Sequence, residues 1–172
     1  MALLDRLFRR RPTDDHAEVR PLWFATVAAA RDPLWYRELG VADTVEGRFD
    51  MITLVLALVL LRLEREPDQA ERSVRLTELF VEDMDAQLRQ SGVGDLVVGK
   101  HVGKLMATLG GRLGALREAV PVGAEAVAPV LERNVSLLDG AASQPLAEAL
   151  LKLHAVWATR AVGALLAGEL RP

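Results

Sequence analysis

Between Gly94 and Lys100 the chain reads G-D-L-V-V-G-K, the spacing of a phosphate-binding loop up to its last position, where His101 stands instead of Ser or Thr. Such a loop follows a strand, curls its backbone amides around phosphate and supplies a hydroxyl to magnesium. Here the preceding residues have helical periodicity, the four intervening residues include the bulky apolar Leu96, Val97 and Val98, and the hydroxyl is missing. The match is too weak to carry nucleotide chemistry. A second candidate is the acidic run Glu78, Glu82, Asp83 and Asp85, which invites a carboxylate–metal site. On a helical wheel Glu78, Glu82 and Asp85 face outward with Arg89. Only Asp83 falls in the apolar stripe of Leu76, Leu79, Phe80, Met84 and Leu88. One inward carboxylate is not a metal cage. Burial would oblige it to find a partner, and Arg48 is the first candidate.

Other reactive residue types are scarce. There are no cysteines, which excludes disulfides, thiolate-bound zinc and thiol catalysis, and three separated histidines (His16, His101, His154) do not make a metal set. His154 sits among Leu150, Leu151, Leu153 and Trp157, where a haem ligand would suit. A lone histidine on an apolar helix is more often simply hydrogen-bonded. Trp23, Trp35 and Trp157 read as core fillers, and no nucleophile–base–orienter set can be built from spacing. No cofactor, metal or enzymatic activity is expected. With net charge −3, 26% charged residues and a pI of about 5.7, the chain is a folded protein with little affinity for nucleic acid.

The elements that must position these residues are helical almost throughout, which predicts an all-α, single-domain bundle of about six to eight helices (residues 13–172) behind a short amphipathic segment (1–12). Helices are expected over about 15–30, 33–39 with Asp32-Pro33 as its start, 44–65 with Asp43 as N-cap, and 67–90. Further helices follow over 95–119 capped by Asp95, 123–138 and 145–169. Met51 to Leu61 is apolar but only 11 residues long, so it predicts a buried central helix and not a membrane span.

Helical geometry also supplies a reason for the glycines. Val98, Val102, Leu105, Met106, Leu109, Leu113 and Leu116 form a core stripe. Gly99, Gly103, Ala107, Gly110 and Gly114 form a second stripe beside it, with Lys100, Lys104, His101 and Arg112 on the remaining side. Each interior glycine costs about 0.5–1 kcal/mol against alanine, so the line is expensive unless another helix approaches it closely. That helix is either this chain's own, the C-terminal one for instance, or a partner's. Gly99, Lys100, Gly103, Lys104, Gly110 and Gly114 are therefore the candidate partner-binding residues. At the N-terminus Leu3, Leu4, Leu7 and Phe8 share a face with Arg9, Arg10 and Arg11 behind them. This segment either lies on an anionic membrane surface or is a frayed or docked helix. It lacks the apolar core and cleavage site of a signal peptide, so the expected location is cytoplasmic, with peripheral contact on the inner face of the membrane.

The blocks D-T-V-E-G-R-F-D (Asp43–Asp50) and D-M-D-A-Q-L-R-Q-S-G-V-G-D (Asp83–Asp95) together resemble the ubiquinol–cytochrome c chaperone family. The resemblance runs from about Val19 to Arg133 and takes in E-R-N-V at Glu132 to Val135. It implies an all-helical, non-enzymatic assembly factor of the short bacterial type for the cytochrome bc complex (respiratory complex III). The implied client is cytochrome b or another subunit, with a small partner assembly factor or the ribosome as further contacts. The other reading is a helical interaction scaffold with a different, membrane-protein client. Asp43, Arg48, Asp50, Asp83 and Asp85 read as structural residues.

Overall fold

The computed structural model describes residues 16–90 and 98–171, with backbone alone for Leu88 and residues 98–101. After a turn at His16–Val19, α1 spans Arg20–Ala30 with Pro21 in its first turn, where a missing N–H costs nothing. Helix α2, Pro33–Arg37, starts as its sequence predicts: Asp32 accepts the Leu34 N–H at 2.9 Å and Pro33 follows. Gly40, at φ +74°, turns the chain out of it, in a region other residues rarely adopt.

Helix α3, Val45–Leu63, is the hub. Its N-cap is Thr44 and not Asp43: the Thr44 hydroxyl accepts the Gly47 N–H at 3.1 Å, leaving Asp43 to take the Arg48 guanidinium at 2.6 Å. From Asp50 to Leu63 every residue is buried, as an all-round apolar helix at the centre of a bundle must be. Each fully buried Leu or Val there contributes about 1.5–3 kcal/mol, which is what holds the surrounding helices to it. Among the described residues no helix is long and apolar enough to cross a membrane.

A 3₁₀ turn at Pro67–Gln69 leads into α4, Ala70–Gln90, which buries Leu76, Leu79, Phe80 and Met84. Then come α5, Val98–Ala119, and α6, Ala124–Asn134. The chain ends with α7, Gln144–Thr159, and α8, Val162–Leu166. Helices α1, α4, α5 and α7 surround α3, α6 bridges α5 to α7, and the described residues contain no strand beyond one antiparallel bridge, Val41 with Leu137.

Two helices end well short of what periodicity predicts, whereas α2 and α3 fall short by only two residues each. The helix expected to reach residue 138 stops at Asn134. Residues 136–138 instead lie against the entry to α3, with Ala42 N–H on the Ser136 carbonyl and Leu138 N–H on that of Gly40, both at 2.8 Å. The last helix breaks at Arg160, whose backbone is extended. Arg62, buried in α3, donates to the carbonyls of Trp157 (3.0 Å) and Arg160 (2.9 Å), satisfying acceptors that a helix end leaves open. The three tryptophans are fillers: Trp23 meets Phe80 edge-on at 6.1 Å. The indole N–H groups of Trp35 and Trp157 reach the carbonyls of Ala29 (2.7 Å) and Leu170 (2.8 Å).

Candidate partner-binding surface

The face that α5 turns to α3 carries Leu105, Leu109, Arg112, Leu116 and Ala119, all buried. Arg112 therefore belongs to the core stripe and not to the polar side with Lys104, while Met106 is 43% exposed and not part of the core. The reason is a buried carboxylate. Asp50 Oδ1 accepts from Arg112 Nη2 at 2.5 Å, and Asp50 Oδ2 accepts the Ser136 amide (2.9 Å) and hydroxyl (2.8 Å). Arg112 Nη1 donates to Thr53 Oγ1 and, at 3.2 Å, to the Asp50 carbonyl. Its guanidinium carbon lies 5.9 Å from the centre of the Phe49 ring. Two ions leave water here only because nearly every donor and acceptor has a partner, so the cluster locks α3, α5 and the α6–α7 connection into one register.

Asp83 does not pair with Arg48, which is held by Asp43. It lies at the edge of the α4 stripe, half-buried, where solvent removes the need for a dedicated counterion. Asp85 accepts from Arg89, one helical turn on, at 2.8 Å. His154 is half-buried on α7. Burial, reinforced by Arg65 and Arg62, holds its pKa below the ordinary 6.5, so the imidazole is neutral at pH 7. Its Nδ1 has no hydrogen-bond partner among the described residues, contrary to the simple hydrogen-bonded histidine that the sequence predicts. No cluster of metal-ligating side chains occurs among the described residues.

The small-residue line faces away from α3. Gly103, Ala107 and Gly110 are exposed and Gly114 is half-buried. A methyl group built on Gly103, Gly110 or Gly114 would meet no described atom within 4 Å outside its own turn of helix. The expected contact with this chain's C-terminal helix is absent at these glycines, because α7 packs on α3 and α6 instead. Lys104 is exposed beside the line; the surroundings of Gly99 and Lys100 lie outside the described residues. So do Leu3, Leu4, Leu7, Phe8, Arg9, Arg10 and Arg11, the cap Asp95, and the G-x-x-x-x-G-K loop.

Next to the glycine line lies a groove that the sequence reading missed. It has a volume of about 750 Å³ between α4 and α5, floored by Leu60 of α3. Val74 and Val81 line one wall, Val102, Met106 and Leu113 the other, and Glu64, Glu78 and Glu82 stand around it. A signal was present: Val74 and Val81 are seven apart on the otherwise polar side of α4, and Val74 is 57% exposed.

These positions explain the Asp43–Asp50 block and the E-R-N-V stretch. In Asp43–Asp50, Asp43 and Arg48 pair, Thr44 caps, and Gly47 sits where any Cβ would collide with the Ala42 carbonyl oxygen. Phe49 packs on Phe80 at 6.4 Å and Asp50 anchors the buried cluster. In the E-R-N-V block, Glu132 accepts from the Ser143 hydroxyl at 2.7 Å and Asn134 donates to the Val130 carbonyl at 2.8 Å. In both stretches these side chains make contacts within the fold. The model of the ubiquinol-cytochrome C chaperone family matches residues 37–169.

The chain belongs to the ubiquinol-cytochrome C chaperone family.

The match reaches beyond the sequence blocks to include α7 and α8, so the C-terminal helices are part of the family pattern. Among solved structures, the chain is similar to the crystal structure of the Cbp3 homolog from Brucella abortus. The two share 31% identity and a TM-score of 0.78, over 97% of this chain and 94% of that one. The comparison with curated proteins found no match. Membership makes the chain a chaperone-family protein of complex III assembly with an all-α fold.

Proposed function

We propose that this protein is a non-enzymatic assembly factor of the cytochrome bc complex. On this reading it works at the cytoplasmic side of the membrane and holds cytochrome b during biogenesis through the outer face of α5. One observation carries the surface assignment. Gly103, Gly110 and Gly114, with Ala107, make a line of small residues that nothing in the described chain covers. In membrane proteins such lines let helix backbones approach closely, and a cytochrome b helix is an occupant of that kind. Lys104, and Lys100 before it in sequence, would meet polar or anionic groups at its end. A small partner assembly factor or the ribosome fits the same account as a further contact; nucleic acid, metal and cofactor have no part in it.

Affinity capture from detergent-solubilised membranes tests it. The wild-type protein should retain cytochrome b. Gly103→Leu/Gly110→Leu, whose bulky side chains fill the line at exposed positions, should retain at most a small fraction while unfolding at a temperature no lower than that of the wild type. Equal capture by both would remove the glycine face from the account. Capture of a membrane protein other than cytochrome b would favour the scaffold reading.

A further inference from the structure

We propose that the groove between α4 and α5 is the seat of this chain's own N-terminal segment, residues 1–12, whose apolar face fills it in the free protein. The first described residue stands at the groove. His16 lines it, with Nε2 3.0 Å from Glu78 Oε2 and Nδ1 3.8 Å from Glu82 Oε2. The preceding chain therefore departs from the groove's wall, with only Thr13 to Asp15 between it and the segment.

Lining and segment are complementary in chemistry. The groove offers Leu60, Val81 and Leu113 together with Val74 and Met106, two large apolar side chains left 57% and 43% exposed. Exposed apolar groups gathered in a concavity are what an occupant covers. The segment, read as a helix, brings Leu3, Leu4, Leu7 and Phe8 on one face. It also carries Arg6, Arg9, Arg10 and Arg11 against one Asp5, while the groove is edged by Glu78 and Glu82, and by Glu64, whose carboxylate already accepts from Arg117.

Length agrees as well. Residues 2–11 would make a helix of about 15 Å, and the α4 wall from Ser73 to Glu82 runs about 13–14 Å. A three-residue tether gives the segment an effective concentration on the order of millimolar, so it outcompetes a free peptide of similar chemistry.

The chain has no cysteine, so a pair of introduced ones reports distance cleanly. Asp5→Cys/Val74→Cys in the full chain should be joined within one monomer by a short bis-maleimide. The reference is Asp5→Cys/Val122→Cys, with Val122 75% exposed in the turn between α5 and α6. The groove pair should react at least about tenfold faster than the reference pair, as a tethered contact requires. Added Leu7→Ser/Phe8→Ser, or Glu in place of Arg9, Arg10 and Arg11, should bring its rate down to the reference. Equal rates in the two pairs would overturn the proposal, and if the segment then co-sedimented with anionic vesicles the membrane would be its place instead. Cross-linked dimers in place of monomers would overturn it in favour of a second copy's segment. No client enters the measurement, so it stands or falls separately from the cytochrome b reading.

Discussion

Asp50 of α3 and Arg112 of α5, 62 residues apart in the chain, meet in the core through a 2.5 Å hydrogen bond between Oδ1 and Nη2. Around them Thr53 and Ser136 use up most of the remaining polar capacity. Removing one partner of such a pair leaves a charge in a place without water. Arg112→Met should therefore cost about 3–5 kcal/mol of unfolding free energy in urea titrations. Asp50→Asn/Arg112→Met, which removes both charges and retains an acceptor for Ser136, should recover at least half of that loss. A double variant as unstable as the sum of the singles would show that the two residues do not act as a pair.

The glycines separate into those the fold requires and those it does not. Gly47→Ala forces a Cβ into the Ala42 carbonyl oxygen, a backbone atom with no freedom to retreat, and should destabilise the protein by about 2 kcal/mol or more. Gly103→Ala and Gly110→Ala place a methyl in open space on a helix, and each should stabilise by about 0.5–1 kcal/mol. Thermal unfolding of the three single variants checks this. A loss of stability at Gly103 or Gly110 would mean that this face is already packed.

His154 makes stability depend on pH. Its folded-state pKa lies below the ordinary 6.5, chiefly through burial and then through Arg65 and Arg62. At higher pH both folded and unfolded states hold a neutral imidazole, and the contribution of the group is fully present. As pH falls below 6.5 the unfolded chain takes up the proton first, and stability is lost until the folded-state pKa is passed. Urea unfolding of the wild type and His154→Gln, compared at about pH 7.5 and about pH 5, should show a steeper acid loss in the wild type. Parallel losses would remove His154 from the acid response.

Fold class was legible in the sequence because helical periodicity is local. The Asp32-Pro33 start, the central apolar helix and the α4 stripe of Leu76, Leu79, Phe80 and Met84 all stand as read. Relationships set by tertiary contact were not legible. Arg112 reads as polar surface until Asp50 is brought beside it. The ends of α6 and α7 depend on pairing with residues 40–42 and on Arg62, nearly a hundred positions upstream of Trp157 and Arg160. The glycine line was visible as a pattern, but a pattern does not say which side of a helix is covered. The groove was hard to read as a site because its walls come from separate helices: Val74 looks like a stray surface residue, and Met106, 43% exposed, reads as part of the α5 core stripe.

The most direct test of the central claim is the reduced-minus-oxidised haem b spectrum of membranes from a strain lacking this gene, with cytochrome b followed by immunoblot. A complex III chaperone acting through the outer face of α5 predicts loss of both signals in the deletion strain. The wild-type gene should restore them, and a stably expressed Gly103→Leu/Gly110→Leu variant should not. Normal haem b and cytochrome b in the deletion strain would contradict the account.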